Sequence, residues 1–188
     1  MSKLIYKMGG VSADGYIEGP DGKFDWTEPD EELHRFHSEQ TRSRGGYLMG
    51  RRLYETMLYW ETVDTGPGAS DFVREFASIW QALPKVVFSR TLDSVKGANT
   101  NLARRDLRAE LASLQQPRMG DVEIGGAGLA AEAIRLNLVD EYWLLVQPVA
   151  VGGGIPLFPR DQRVNLELLE TRTFPSGVVF LKYQANRR

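Results

Sequence analysis

Short apolar segments alternate with amphipathic segments along most of the chain, and this alternation limits the folds it can adopt. Strand-like runs such as KLIYKMG, GYLMG, KVVFSR and DVEIGG are interspersed with segments whose apolar residues recur at helical intervals, such as DFVREFASIWQAL and GLAAEAIRLN. Because crossover helices join parallel strands, the pattern predicts an α/β fold whose mixed sheet is mostly parallel and has helices on both faces.

The two ends of the chain add detail to this prediction. Pro29 to about Arg44 has the spacing of an amphipathic helix, which Gly45 and Gly46 are expected to end. Near the C-terminus, VNLELLETRTF and VVFLKYQ have strand composition and are separated by a PSG turn. They predict an antiparallel hairpin at the sheet edge. No linker interrupts the 188 residues, so we expect one domain over 1–188.

Composition excludes several classes of protein. The 23 basic and 25 acidic side chains give a net charge of only −2, so no global field favours nucleic acid or an anionic membrane. There are no cysteines, which excludes disulfides and thiolate metal sites. We predict no metal site, because the two histidines, His34 and His37, have the spacing of a solvated helix face. No apolar run suits a signal peptide or a membrane span, so we expect a cytoplasmic protein.

Three strand-to-helix junctions have the composition of anion-binding sites. In an open α/β sheet, ligands bind beyond the carboxyl ends of the strands, where helix N-termini present free N–H groups. The first junction is Gly50-Arg51-Arg52, where glycine allows close approach and the guanidinium groups match a phosphate. Solvated arginines on a surface helix are the alternative interpretation.

The second and third junctions follow the next strands along the chain. Ser89, Arg90 and Thr91 combine hydroxyl donors with another guanidinium, although a polar strand end would have the same composition. The segment IGGAGL offers backbone amides to a pyrophosphate without an intervening side chain. Its candidate residues are Gly125, Gly126, Ala127, Gly128 and Leu129. Cationic and glycine-lined junctions in one sheet favour a dinucleotide with an extra phosphate, and so NADPH over NADH.

The order of these motifs resembles the dihydrofolate reductase superfamily. SADGYI, LMGRRLYE, KVVFSRTL and VEIGGAGLAAEAIRLNLVDEYWLLVQPVAVGGGIPLF follow one another from about Leu4 to Tyr183. The resemblance is closest to the C-terminal reductase domain of bacterial riboflavin-biosynthesis proteins, the RibD C-terminal domain. It implies a dihydrofolate reductase-like mixed sheet with an antiparallel C-terminal hairpin, and NADPH bound across the strand ends.

The resemblance also implies roles for individual junctions. Gly50, Arg51 and Arg52 would hold the adenosine side of the cofactor, and Ser89 and Arg90 would meet its 2′-phosphate. The Gly-Gly step of IGGAGL, often a cis peptide in the superfamily, would lie against the pyrophosphate and nicotinamide.

The chain departs from true dihydrofolate reductases at several positions. Leu53 replaces a hydroxyl residue after the paired basic positions, and Ala130 stands where an aromatic residue is usual. No carboxylate among Asp30, Glu31 and Glu32 matches the spacing of the folate-protonating group. SADGYI and QPVAVGGGIPLF instead resemble the riboflavin branch.

Two carboxylates are candidates for proton delivery beside the hydride acceptor, a role that burial would support by raising a carboxyl pKa. Asp14 follows the first strand, but an aspartate before glycine is also typical of a turn. Glu31 is the second candidate, but a carboxylate at this position is more typical of a solvated charge in a helix's first turn. Trp26 and Trp60 could form an aromatic wall for a flat heterocycle, or serve only in packing.

Two functions remain open on this basis. The first is an NADPH-dependent reductase of a pteridine-like or ribosylaminopyrimidine substrate, resembling 5-amino-6-(5-phosphoribosylamino)uracil reductase. A dihydrofolate reductase-like pterin reductase is a variant of it. The second is a catalytically silent nucleotide-binding protein of the same fold. Pairing through the C-terminal strands would give a homodimer.

Overall fold

The computed structural model describes residues 2–116 and 119–187. The described helices and strands alternate as the sequence pattern indicates. The helices are α1 (Glu31–Arg42), α2 (Arg51–Met57), α3 (Tyr59–Thr62), α4 (Asp71–Ala82), α5 (Leu107–Leu114) and α6 (Ala127–Arg135). The strands are β1 (Leu4–Ser12), β2 (Tyr16–Glu18), β3 (Arg44–Gly50), β4 (Lys85–Phe88), β5 (Thr100–Leu102), β6 (Asp121–Gly125), β7 (Glu141–Gln147), β8 (Ile155–Pro156), β9 (Leu166–Thr173) and β10 (Val179–Ala185).

Eight strands form one mixed sheet in the order β5-β4-β3-β6-β1-β7-β10-β9. Neighbouring strands from β5 to β7 are parallel. Strands β9 and β10 pair antiparallel, and β10 continues the sheet antiparallel to β7. The predicted α/β fold and its C-terminal hairpin at the sheet edge are therefore confirmed. Strands β2 and β8 form a separate two-stranded antiparallel sheet.

Helices cover both faces of the large sheet. Leu4 and Tyr6 of β1 contribute to the core on the face that α5 and α6 cover, whereas Ile5 between them packs with Phe36 of α1. Trp80 of α4 packs on the same side as α1, over β3 and β4. Apolar side chains therefore leave β1 toward both faces, as expected of a central parallel strand. None of the described helices is long and apolar enough to cross a membrane.

Gly45 and Gly46 lie inside β3, so the prediction that they end the preceding helix was wrong. Helix α1 already ends at Arg42. A Cβ on Gly45 would overlap the backbone carbonyl of Met119, and one on Gly46 would lie 2.9 Å from a Leu114 methyl. The two glycines allow neighbouring segments to approach the strand closely.

The two histidines do not lie on a solvated face, and that prediction was also wrong. The His34 ring stacks on Phe72 of α4, with 4.6 Å between ring centroids. The His37 ring lies against Gly9 of β1, where an added Cβ would be 3.2 Å from His37 Cε1. Burial lowers the pKa of His37 well below 6.5, and the nearby Lys7 acts in the same direction.

Candidate functional site

The three junctions singled out in the sequence lie at one edge of the sheet. Strands β4, β3 and β6 are parallel neighbours, so their carboxyl ends point the same way. The residues that follow these strands therefore line one continuous stretch of the edge, the position at which open α/β sheets bind ligands.

Arg51 connects the first junction to the second. Its Nη1 donates a hydrogen bond to Thr91 Oγ1 at 2.7 Å, and its Nε contacts Glu55 Oε1 at 2.7 Å. These partners orient the guanidinium group of Arg51, although Arg51 and its neighbour Arg52 are both exposed. Helix α2 has only seven residues, so the arginine side chains, rather than the helix dipole, provide the positive charge here.

The second junction is a hydroxyl-stabilised turn. Ser89 Oγ accepts hydrogen bonds from the backbone N–H groups of Thr91 and Leu92, each at 3.1 Å. The Ser89 hydroxyl thus shapes the loop that follows β4. Arg90 lies in this turn and is exposed.

The third junction packs directly against the first. Gly125 is buried, and a Cβ there would overlap Leu53 Cδ2 and Tyr47 Oη. Gly126 has a φ of +86° and precedes α6, and a Cβ on it would lie 3.9 Å from the backbone nitrogen of Gly50. As with every other peptide bond of the described residues, the Gly125–Gly126 bond is trans.

This packing accounts for two departures from true dihydrofolate reductases. Leu53, which replaces a hydroxyl residue, lies against Gly125 and Gly126. Ala130 is fully buried in the core that α6 shares with the sheet, so a larger aromatic ring would not fit there without rearrangement.

The junctions have the space and the donors that a phosphorylated dinucleotide requires. An added Cβ at Gly50 or Gly128 would meet no described atom within 4 Å, so the backbone there faces open space. No acidic residue occupies the first turn of α2 or α6. The first N–H groups of α6, in Ala127, Gly128 and Leu129, have no acceptor within the helix. The residues present therefore fit such a cofactor.

Sequence reasoning missed a cationic segment beside these junctions. Strand β5 has only three residues and was not predicted, but it pairs in parallel with β4. Arg104 and Arg105 follow it. Arg105 pairs with Glu110 at 2.9 Å, while the side chain of Arg104 is exposed. The adjacent arginines before a predicted helix were the available signal.

Asp14 is held in a loop contact. Its carboxylate accepts hydrogen bonds from the backbone N–H groups of Val151 at 3.1 Å and Gly152 at 2.7 Å. Hydrogen bonding to the Ser12 side chain, and then to Gly152, lowers the pKa of Asp14. This is opposite to the rise by burial that the sequence hypothesis assumed, and the catalytic role of Asp14 stays a prediction.

Glu31 is exposed in the first turn of α1 and pairs with Arg35 at 2.6 Å. Its proposed role also stays a prediction. Trp60 packs against Phe76 of α4, with 4.6 Å between ring centroids. Trp26, by contrast, lines a cavity.

This cavity, of about 190 Å³, lies where the start of α1, the end of β7 and the turn between β9 and β10 meet. It is the candidate substrate cavity. The lining residues are Trp26, Glu28, Asp30, Leu33, Gln147, Pro148, Val149, Ser176 and Val178.

Comparison with known families and proteins gives a consistent result. The model of the RibD C-terminal domain family matches residues 2–180. A Bacillus subtilis (strain 168) protein called uncharacterized protein YyaP is 32% identical over 178 residues, which cover 94% of this chain and 92% of the relative.

Solved structures share the fold at lower identity. A putative riboflavin biosynthesis protein from Shewanella sp. PV-4 has a TM-score of 0.77 and 20% identity, with all of both chains covered. A diaminohydroxyphosphoribosylaminopyrimidine deaminase/5-amino-6-(5-phosphoribosylamino)uracil reductase from Thermotoga maritima has a TM-score of 0.67 and 13% identity. That match covers 98% of this chain and 57% of the Thermotoga chain.

Proposed function

Because the chain belongs to the RibD C-terminal domain family, we propose that it is an NADPH-dependent reductase. It resembles 5-amino-6-(5-phosphoribosylamino)uracil reductase and acts on a pteridine-like or ribosylaminopyrimidine substrate. The observation that carries this proposal is the contact of the three junctions: Arg51 is bonded to Thr91, and Gly126 adjoins Gly50.

The cofactor's phosphates would bind along these junctions. Arg51 and Arg52 would hold the adenosine side, and Arg90 would contact the 2′-phosphate beside the turn shaped by Ser89. The free N–H groups at the start of α6 would face the pyrophosphate. A charge-assisted phosphate contact contributes about 1.5–3 kcal/mol, so one such contact can favour NADPH over NADH by roughly tenfold or more.

The chemistry requires mainly positioning from the protein. When bound, the dihydronicotinamide supplies a hydride, and the reacting carbons must come within about 3–3.5 Å of one another. Because the pKa of Asp14 is lowered, its carboxylate would not be the acid; it would orient a water molecule through which a proton from bulk solvent reaches the reduced substrate. Glu31 remains the second proposed group.

Substitution of Arg90 tests the cofactor assignment. Arg90→Ala should weaken NADPH binding by roughly tenfold or more while leaving NADH binding nearly unchanged, because only NADPH carries the 2′-phosphate. The exposed Arg160 follows β8, which belongs to the separate two-stranded sheet, and it provides a matched control: Arg160→Ala should change neither affinity. An equal loss for both cofactors in Arg90→Ala, measured by titration calorimetry, would reject the assignment.

A second candidate is a catalytically silent NADPH-binding protein. The observation that favours it is that both candidate carboxylates already have partners within the chain. Asp14 accepts a hydrogen bond from the backbone N–H of Gly152, and Glu31 forms an ion pair with Arg35. NADPH binding without loss of its near-ultraviolet absorbance, across a panel of pterins and aminopyrimidine ribosides, would support this candidate. Oxidation with any of them would exclude it.

A further inference from the structure

We propose that the cavity at the start of α1 selects a ring substrate that carries no phosphate group. This inference rests on the proposed reductase function. It distinguishes phosphorylated from unphosphorylated substrates, between which the proposed function does not choose. The cavity would take a neutral, hydrogen-bonding heterocycle, free or as its riboside, and discriminate against the corresponding 5′-phosphate.

The wall of the cavity is negatively charged. Glu28 and Asp30 both line the cavity, and its described lining contains no lysine or arginine. A phosphate monoester carries about −1.5 to −2 charges at neutral pH. Such a group would therefore meet two carboxylates and no cationic partner, an arrangement that disfavours binding.

The helix N-terminus beside the cavity does not offset this charge. Asp30 caps α1, and its Oδ1 accepts a hydrogen bond from the backbone N–H of Leu33 at 2.9 Å. Glu31 and Glu32 follow in the first turn. The positive end of the helix dipole is thus already matched by carboxylates of the chain itself.

Two arginines of α1 and β9 near the start of α1 already form ion pairs with carboxylates. Arg35 pairs with Glu31 at 2.6 Å, and Arg172 pairs with Glu32 at 2.9 Å. A phosphate here would compete with Glu31 and Glu32 for these arginines, in addition to meeting the carboxylates of the cavity wall.

Gln147 supplies a favourable contact for the substrate that the cavity selects. It is only 6% exposed and lines the cavity, and its side-chain amide has no hydrogen-bond partner among the described residues. The amide atoms are open to the cavity, because the buried polar side-chain atoms without a partner among the described residues belong to Ser38, Arg44 and Glu61. A ligand in the cavity can therefore bond to the amide. Because the amide both donates and accepts, it matches the adjacent N–H and C=O groups of a pyrimidine or pteridine ring. Trp26 offers an apolar surface for the ring.

A matched pair of ligands tests the proposal. Titration calorimetry would compare 5-amino-6-(ribosylamino)uracil with its 5′-phosphate, in the presence of the oxidised cofactor so that no turnover occurs. The riboside should bind at least about tenfold more tightly than the phosphate ester. Equal or tighter binding of the phosphate ester, or binding of neither ligand, would overturn the proposal.

Substitutions in the cavity wall test whether the named residues cause the difference in affinity between the riboside and the phosphate ester. The double variant Glu28→Gln/Asp30→Asn should bring the two affinities close together, and asparagine preserves the helix cap. Glu39→Gln removes a charge from a later turn of α1, so it should keep the difference. Gln147→Leu should weaken both ligands by a similar factor. An unchanged affinity ratio in the double variant would contradict the electrostatic argument, with circular dichroism showing that each variant is folded.

The outcome is distinguishable from failure of the proposed function. The same titrations without cofactor report whether the cavity alone discriminates between the ligands. Discrimination by a chain that binds no NADPH would reject the reductase and keep the cavity assignment. NADPH binding by a chain that does not discriminate between the two ligands would reject the cavity assignment and keep the proposed reductase function.

Discussion

Two glycines at the third junction have opposite surroundings, although only three positions separate them. Gly125 is enclosed by Leu53 and Tyr47, whereas Gly128 in the first turn of α6 meets no described atom within 4 Å of an added Cβ. Gly125 thus allows Leu53 and Tyr47 to pack closely against the strand, whereas Gly128 leaves the start of α6 open to solvent.

Alanine substitutions should therefore have opposite effects on stability. Gly125→Ala should lower the free energy of unfolding by about 1–3 kcal/mol, because its methyl group overlaps packed neighbours. Gly128→Ala should raise it by up to about 1 kcal/mol through helix propensity. Urea unfolding of both variants checks this pair, and a stabilising Gly125→Ala would contradict the described packing.

His37 gives the protein a specific dependence of stability on pH. Its folded-state pKa is well below 6.5, so the unfolded chain binds a proton below about pH 6.5 that the folded chain does not. Stability should therefore fall as the pH decreases below about 6.5, by up to about 1.4 kcal/mol per pH unit for one such group, until the pH reaches the lowered pKa of the folded state.

The variant His37→Gln should have lower stability at neutral pH but a shallower decline toward acid. His34→Gln should remove less of the decline, because burial lowers the pKa of His34 less strongly. Urea unfolding at several pH values measures each slope. Identical slopes in wild type and His37→Gln would contradict the account.

At the scale of elements, β9 is unusual because most of its length is exposed on both faces. Leu168 and Leu169 are 53% and 45% exposed, and β9 pairs with β10 on one side only in the described sheet. Exposed edge strands pair readily with other chains unless they are covered. We propose that β9 pairs with a second copy of this chain in a homodimer.

Light scattering should then give a mass of twice 21.2 kDa for the wild type at micromolar concentration. Leu169→Glu should shift the protein toward the monomer, because a charge would enter the interface. Leu136, 41% exposed at the end of α6, provides a control: Leu136→Glu should leave the mass unchanged. A monomeric wild type would contradict this proposal.

The elements differ in how well the sequence predicts them. Helix α4 was predicted because its apolar periodicity extends over 12 residues, and strands β4 and β6 because their short segments of four and five residues are rich in apolar and β-branched side chains. Strands β2, β5 and β8 were missed because two or three residues cannot establish a period. Gly45 and Gly46 were misassigned because their close contact with Met119 and Leu114 is tertiary. The residues of each candidate cofactor junction are contiguous in sequence and could be singled out there, whereas the cavity depends on segments far apart in sequence.

At the scale of the whole molecule, the arginines proposed to meet the cofactor and the carboxylates that line the cavity lie at different parts of the sheet, within a net charge of only −2. Arg51, Arg52 and Arg90 follow β3 and β4, whereas Glu28 and Asp30 lie near the end of β7. Strands β6 and β1 lie between these regions in the sheet. This arrangement suits a polyanionic cofactor at one part of the edge and an uncharged substrate at another.

Titration calorimetry of the wild-type protein with NADPH and with NADH tests the central claim most directly. The account predicts that NADPH binds at least about tenfold more tightly, and that added salt narrows the difference by screening the arginines. No binding of NADPH, or equal affinity for the two cofactors at low salt, would contradict the claim that these strand ends recognise the additional phosphate.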